Sequence, residues 1–177
     1  KGKVMRVKKL VKKAQRGNKE ALLELIMAQQ HDYYRLAYTY VGNEADALDA
    51  MENMIVILHE NIGQLKKLES FYSWSKTILV NECRAILRKR KNLVFIEDEQ
   101  LIEETVDPFE AVDLSLTLKE SLDALNPVQK EAIQLKYFLD YDYGTIATLT
   151  NVSVGTAKSR VFTALKKLRH YFGGDET

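Results

Sequence analysis

Three groups of side chains in this chain have types and spacings suited to recognition chemistry. The first lies towards the C-terminus. Ile146, Ala147 and Leu149 recur at helical spacing, Asn151-Val152-Ser153-Val154-Gly155-Thr156-Ala157-Lys158-Ser159-Arg160 follows, and a second periodic stretch carries Val161, Leu165, Leu168 and Phe172. This reads as a helix, a turn and a second helix. Ser153 suits the N-cap of that second helix, with amides near Gly155 and Thr156 directed at an incoming anion. Lys158, Ser159 and Arg160 fall in its first turns, where a recognition helix meets base edges and an arginine can pair bidentately with guanine. No Asp or Glu occurs from Tyr143 to Gly174, whereas Lys158, Arg160, Lys166, Lys167 and Arg169 are all cationic. An acid-free second helix fits the phosphate-lined major groove.

The second group is aromatic and basic. Residues 84 to 91 hold Arg84, Arg88, Lys89, Arg90 and Lys91 with no acid, and upstream lie Lys66, Lys67 and Phe71-Tyr72-Ser73-Trp74. Rings that stack on bases beside cations that track phosphates suit single-stranded nucleic acid. Trp74, at helical spacing from Ile78, reads as core; Phe71, at the helix start, is the ring expected to be exposed. The third group is acidic. Asp46, Asp49 and Glu52 are spaced by three and share one helix face, which is a carboxylate cluster for metal or acid-base work, a simply solvated face, or a surface for a basic partner, the last two being favoured.

Catalytic patterns are missing from the sequence. There is no phosphate-cradling glycine loop with its lysine and no HExxH zinc motif. His31, His59 and His170 are far apart, and none pairs with a second cysteine at ligand spacing. The expectation is a binding protein with neither metal nor cofactor, not an enzyme.

The elements that must position these groups read as helices throughout. Leu10 to Met27 carries Leu22, Leu25 and Ile26 on one face after a start near Asn18. A second helix spans about His31 to Val41, with Leu36, Ala37, Tyr40 and Val41 inward, and Gly42 ends it because glycine accepts positive φ. Asn43 caps a third helix from Glu44 to Ile62 with a stripe of Leu48, Met51, Ile55 and Leu58. Gly63 to Ser70 is a loop, and a fourth helix runs from Ser70 through Trp74, Ile78 and Ile86 to Lys89. Glu97, Asp98, Glu99, Glu103, Glu104, Asp107, Glu110 and Asp113 then form an acidic block without Lys or Arg, the composition of a linker. Helical spacing returns at Leu114, Leu118, Leu122 and Leu125. Asn126-Pro127-Val128-Gln129 is a strong helix start, in which Asn caps, Pro fits the first turn and Gln reaches back.

With 177 residues, 2 prolines and 8 glycines, and no sustained alternation, the chain is expected to be all-α. Two small helical domains, at about 7–91 and 113–172, are joined by an acidic tether over 92–112. The single cysteine, Cys83, precludes an intrachain disulfide framework and reads as a small core residue. The lack of a long apolar run argues against a membrane span, and Lys1-Gly2-Lys3-Val4-Met5 lacks a secretory apolar core, so a cytoplasmic location is expected. The net charge of +1 conceals strong segregation of charge.

Taken together, these segments resemble the extracytoplasmic-function (ECF) sigma factors of bacterial RNA polymerase, over nearly the whole chain. Leu10 to Ala21 resembles the family's opening helix and turn. Asp46-Ala47-Leu48-Asp49-Ala50-Met51-Glu52-Asn53 is similar to its polymerase-binding segment, although Glu52 and Asn53 stand where Gln and an acid are usual. Phe71 to Trp74, Asn81-Glu82 and Arg84 to Lys91 resemble the segment that opens and reads the minus-ten element. Leu125-Asn126-Pro127, Ile146-Ala147 and Val154 to Arg160 resemble the domain that reads the minus-thirty-five element, with Thr163 where many relatives place Arg.

The resemblance implies an alternative sigma factor. Asp46, Asp49, Glu52 and Asn53 would dock on the clamp of the largest subunit of core RNA polymerase. Lys66, Lys67, Phe71, Trp74, Asn81, Arg84 and Arg88 would hold the opened minus-ten strand. The second domain would sit on the flap of the second-largest subunit, with Gly155, Thr156, Lys158, Ser159, Arg160, Thr163 and Lys166 on minus-thirty-five DNA. The partners implied are core polymerase, promoter DNA and a cognate anti-sigma protein, which can be membrane-bound. Two rival readings are a stand-alone helix-turn-helix regulator, with residues 7–91 sensing a ligand, and a helical adaptor that binds only protein. The aromatic and basic Phe71 to Lys91 stretch favours the sigma reading over both.

Overall fold

A computed structural model of the chain describes residues 2–96 and 113–173, all of whose regular elements are helical. The chain divides into two compact units, Lys1–Glu103 and Glu104–Thr177. The acidic block expected at 97–113 lies, but for Asp113, outside the described residues.

The first unit contains α1 (Gly2–Gln15), α2 (Lys19–Met27), α3 (Gln30–Val41), α4 (Glu44–Asn61) and α5 (Phe71–Ile96). The helix expected from Leu10 to Met27 is in fact two, because Gly17 takes φ 90 and Asn18 caps α2 by accepting from the Ala21 amide at 2.7 Å. Gly42 takes φ 78 and ends α3, and Asn43 then caps α4 through the Asp46 amide at 2.9 Å. Short 3-10 turns at Ile62–Gln64 and Leu68–Ser70 carry the chain from α4 to α5. The side-chain amide of Gln15 ties them to α1, donating to the carbonyls of Ile62 and Leu65 at 3.0 and 2.9 Å. α5 continues seven residues past the expected stop at Lys89.

Helices α3, α4 and α5 pack on one another around a core of Tyr33, Leu36, Ala37, Met54, Leu58, Phe71, Leu79, Val80 and Cys83. The inward face of α4 differs from the expected stripe. Ala47, Ala50, Met54 and Leu58 are buried, whereas Leu48 and Ile55 are exposed and Met51 is half-buried. The alanines allow the α4 backbone to approach its neighbours closely, so the register follows small residues and not the bulkiest ones. Tyr40 is likewise half-buried, and Tyr33 takes the central aromatic position. The Tyr33 hydroxyl shares a 2.7 Å hydrogen bond with Ser75 Oγ inside the core, and burial pushes its phenol well above the ordinary range. Burial also pushes the Cys83 thiol up to about 12, consistent with an inert core cysteine.

The second unit contains α6 (Asp113–Asp123), α7 (Pro127–Ile133), α8 (Tyr143–Thr150) and α9 (Val154–Tyr171). The Asn126 cap forms as expected, with a reciprocal box: Asn126 Oδ1 accepts from the Gln129 amide at 2.9 Å and Gln129 Oε1 from the Asn126 amide at 3.3 Å. A π-turn over Gln134–Phe138 follows α7, closed by the Leu139 amide on the Gln134 carbonyl. Leu122, Leu125, Ala132, Ile133, Val161 and Ala164 form the core, with Tyr143, Leu165 and Leu168 packed against it. Phe172, expected to continue the buried stripe of α9, is 56% exposed because it caps the helix beyond its last packed turn.

Candidate nucleic-acid and docking interfaces

Asn151 takes φ 54 at the end of α8, and Ser153 Oγ accepts from the Thr156 amide at 3.1 Å, which starts α9. The helix-turn-helix expected from sequence is therefore built by two local caps. One expectation changes: the Thr156 amide is occupied by Ser153 and does not face outward for an anion. On α9, Ala157, Val161 and Ala164 point inward, which turns Gly155, Ser159, Phe162, Thr163 and Lys166 outward. Lys158 and Arg160, two residues and thus about 200° apart, lie on opposite flanks of that face. Arg160 is half-buried and Lys158 exposed, so they do not reach outward together. Phe162 is 71% exposed in the middle of the cationic face. Sequence reading missed it, although its spacing of three from Ser159 and four from Lys166 was available.

In the first unit, α5 presents one outward strip. Trp74, Asn81 and Arg88 are spaced by seven residues, two turns each, so they line up over about 21 Å, with Arg84 beside them. Arg84 lies 6.0 Å from the Tyr40 ring centroid. At the N-terminal end of the strip an open groove of about 600 Å³ is lined by Lys66, Lys67 and Trp74 together with Ile57, Asn61 and Ile78. Phe71 corrects an expectation. It is fully buried, with its ring centroid 5.3 and 6.3 Å from those of Tyr72 and Trp74 in edge-on arrangements, because the first turn of α5 is pulled into the core. Trp74, expected as core, is half-buried and faces the groove. The two aromatic roles are exchanged.

Asp46, Asp49, Glu52 and Asn53 line a second groove, of about 380 Å³, opposite Ile86, Lys89, Arg90 and Leu93 of α5. The acids are therefore not equivalent. Asp46 accepts from the Arg90 guanidinium and from Asn43 Nδ2 at 3.1 Å, and Arg90 also donates to the Val41 carbonyl at 3.1 Å. Asp49, Glu52 and Asn53 are exposed. The outward Leu48 and Ile55 flank Glu52 at spacings of four and three, giving α4 an apolar component beside its acids. Among the described residues, no cluster of His, Cys, Asp or Glu is placed to hold a metal ion, and no helix is long and apolar enough to cross a membrane.

These are the features of a two-unit transcription initiation factor, with a helical unit followed by a helix-turn-helix unit. The sequence matches Sigma-70 region 2 over residues 25–93 and Sigma-70 region 4 over residues 115–168. It is 32% identical over 160 residues to the RNA polymerase sigma factor SigV of Bacillus subtilis, spanning 89% of this chain and 94% of that one. It is 25% identical to the ECF RNA polymerase sigma factor SigW of the same organism, over 93% and 96% of the two chains. Among solved structures, CnrH in complex with the cytosolic domain of CnrY aligns with a TM-score of 0.69 at 18% identity over 97% of this chain and 99% of that one. The sigma factor RpoE, in complex with the anti-sigma factor NepR from Bartonella quintana, aligns with a TM-score of 0.66 at 24% identity over 86% and 97%. The two structural likenesses establish the shared fold. The chain belongs to the sigma-70 family, in its ECF group, and is an alternative sigma factor that directs transcription initiation by RNA polymerase at promoters.

Proposed function

We propose that each step of initiation maps to one face of the chain. Asp49, Glu52 and Asn53 on α4 meet a cationic or polar surface on the clamp of the largest polymerase subunit, with Leu48 and Ile55 adding apolar area at the contact. Asp46 remains with Arg90 and holds the docking helix to the end of α5. The groove of Lys66, Lys67 and Trp74, continued by Asn81, Arg84 and Arg88, takes the opened strand of the minus-ten element, one ring stacking while cations follow phosphates. Phe71 supports this surface from below through its edge contact with Trp74.

The second unit sits on the flap of the second-largest subunit and reads minus-thirty-five DNA. Ser159, Thr163 and Lys166 face the groove, Gly155 and Thr156 lie at the helix start, and Lys158 and Arg160 reach the two flanking backbones. Phe162 supplies an apolar contact of the kind that recognises a thymine methyl. An anti-sigma protein holds the factor inactive by covering these faces, and the factor works in the cytoplasm where its polymerase is. The observation that carries the reading is the arrangement of the first unit: the acidic groove and the aromatic–cationic strip share α5 as a common wall, so docking and strand capture are built on one rigid element. The test is in vitro transcription from a randomised promoter library, using core polymerase purified free of other specificity subunits. A discrete set of start sites that appears only when the chain is added is expected. Unselective initiation, or duplex binding by the chain alone as a dimer, would favour the stand-alone regulator.

A further inference from the structure

Two lysines from different elements converge on one ring in the second unit. Lys136 Nζ lies 4.7 Å from the centroid of Tyr143, and Lys158 Nζ lies 5.7 Å from the same centroid. Lys136 belongs to the π-turn that follows α7, Tyr143 opens α8, and Lys158 lies in the second turn of α9. Two ammonium groups repel, and each long side chain has many rotamers to lose, so bringing both to one place needs an attraction. The negative face of a tyrosine ring provides it within about 6 Å. Tyr143 is half-buried against the unit core, so the ring itself is held still. The neighbouring acid, Asp142, accepts from the Thr145 amide at 2.7 Å as the cap of α8, and its charge also attracts Lys136, but the ring is the feature that both lysines share. The π-turn matters too, since the extra residue it inserts re-aims side chains relative to an α-helix, and such turns recur at functional sites.

We propose that Tyr143 is a positioning residue for a paired phosphate contact made by Lys136 and Lys158 on the duplex backbone flanking the helix-turn-helix. Lys136 joins the DNA surface although it lies outside the recognition helix, and Tyr143 acts on DNA only through the two lysines. The inference rests on the minus-thirty-five reading given above. Its advantage is preorganisation: the rotamer entropy of both lysines is lost on folding and not on binding.

The experiment uses the full chain assembled with core polymerase on a promoter fragment selected from the library by the unaltered holoenzyme. Tyr143→Leu should weaken binding to that fragment about five- to thirtyfold, because without the two cation–ring contacts the ordering of both lysines falls on the binding step. Tyr143→Phe keeps the ring and should rescue the affinity. Lys136→Ala should lower the slope of log affinity against log salt by about 1, the signature of one lost phosphate contact. In the Lys136→Ala, Lys158→Ala background, Tyr143→Leu should have no further effect. A purely structural role would instead lower the unfolding midpoint, and its affinity loss would persist in that background. Either that persistence, or an unchanged salt slope for Lys136→Ala, overturns the proposal, and the slope is informative even if Tyr143→Leu fails to fold. If the unaltered holoenzyme selects no fragment, it is the promoter-reading function that fails and not the pairing.

Discussion

In the first unit, four basic side chains lie against acids of their own fold. Arg90 joins Asp46 and the Val41 carbonyl, Lys76 meets Asp32 at 2.5 Å, Arg6 meets Glu24 at 2.5 Å and Lys8 meets Glu69 at 3.5 Å. In the second unit, α9 carries no acid of its own, and the neighbour of Lys158 is an aromatic ring. The difference shows that cation count is a poor measure of charge offered to DNA. Arg90 looks like part of a nucleic-acid patch in the sequence and is instead a brace between α4 and α5. The more exposed of these pairs contribute little to stability, so their main consequence is orientation: they set which cations and which acids of the first unit point outward.

The largest expected effect bears on the aromatic half of this contrast. Phe71→Ala should destabilise the first unit by about 3–5 kcal/mol, because it removes a fully buried ring. Chemical denaturation should show that transition shifted while the transition of the second unit stays in place. Unchanged stability with defective strand opening would return Phe71 to the DNA surface. Next, Asp49→Arg should reduce affinity for core polymerase on the order of tenfold by setting like charges together at the docking face. Asp46→Arg is a less clean probe, since it also breaks the Arg90 brace; equal binding by Asp49→Arg and the unaltered chain in a competition assay would move the docking surface elsewhere.

A smaller effect distinguishes the flanks of α9. Lys158→Ala and Arg160→Ala should each lower the salt slope of promoter binding by about 1, and their effects should add because they lie on opposite sides of the helix. Marked non-additivity would mean that they share one contact.

The smallest effect is the pH response of the α8 cap. The Thr145 amide holds the Asp142 carboxyl below its ordinary value of 3.8. A lowered folded-state value contributes stability above the unfolded value, and that contribution is lost as pH falls through the folded one. Between about pH 6 and about pH 3, Asp142→Asn, which can still cap, should therefore flatten the acid-side decline of the second unit's melting temperature. An identical decline in both proteins would assign it to other carboxyls.

Legibility in the sequence followed the range of the interactions. Asn18, Gly42, Asn43, Asn126 with Gln129, and Ser153 all act within a few residues, and each does in the structure what its type and position suggest. The inward face of α4 was misjudged because hydropathy favours Leu48 and Ile55 over Ala47 and Ala50, whereas close helix packing selects the small residues. Phe71 and Trp74 exchanged roles for a related reason. Both are aromatic residues in the first turn of α5, and only the direction in which that turn meets α3 and α4 separates the ring in the core from the ring at the groove.

The order of amino acids is thus enough to specify an all-helical chain, its caps, the two-unit organisation and the acid-free recognition helix, because period, capping and charge segregation are properties of neighbours along the chain. Packing in three dimensions assigns the Asp46–Arg90 brace, the buried Phe71 and the two lysines gathered at the ring of Tyr143. Those pairings join residues 7 to 44 positions apart or depend on which face of a helix turns inward, and the free energy that selects them exists only once the elements have met.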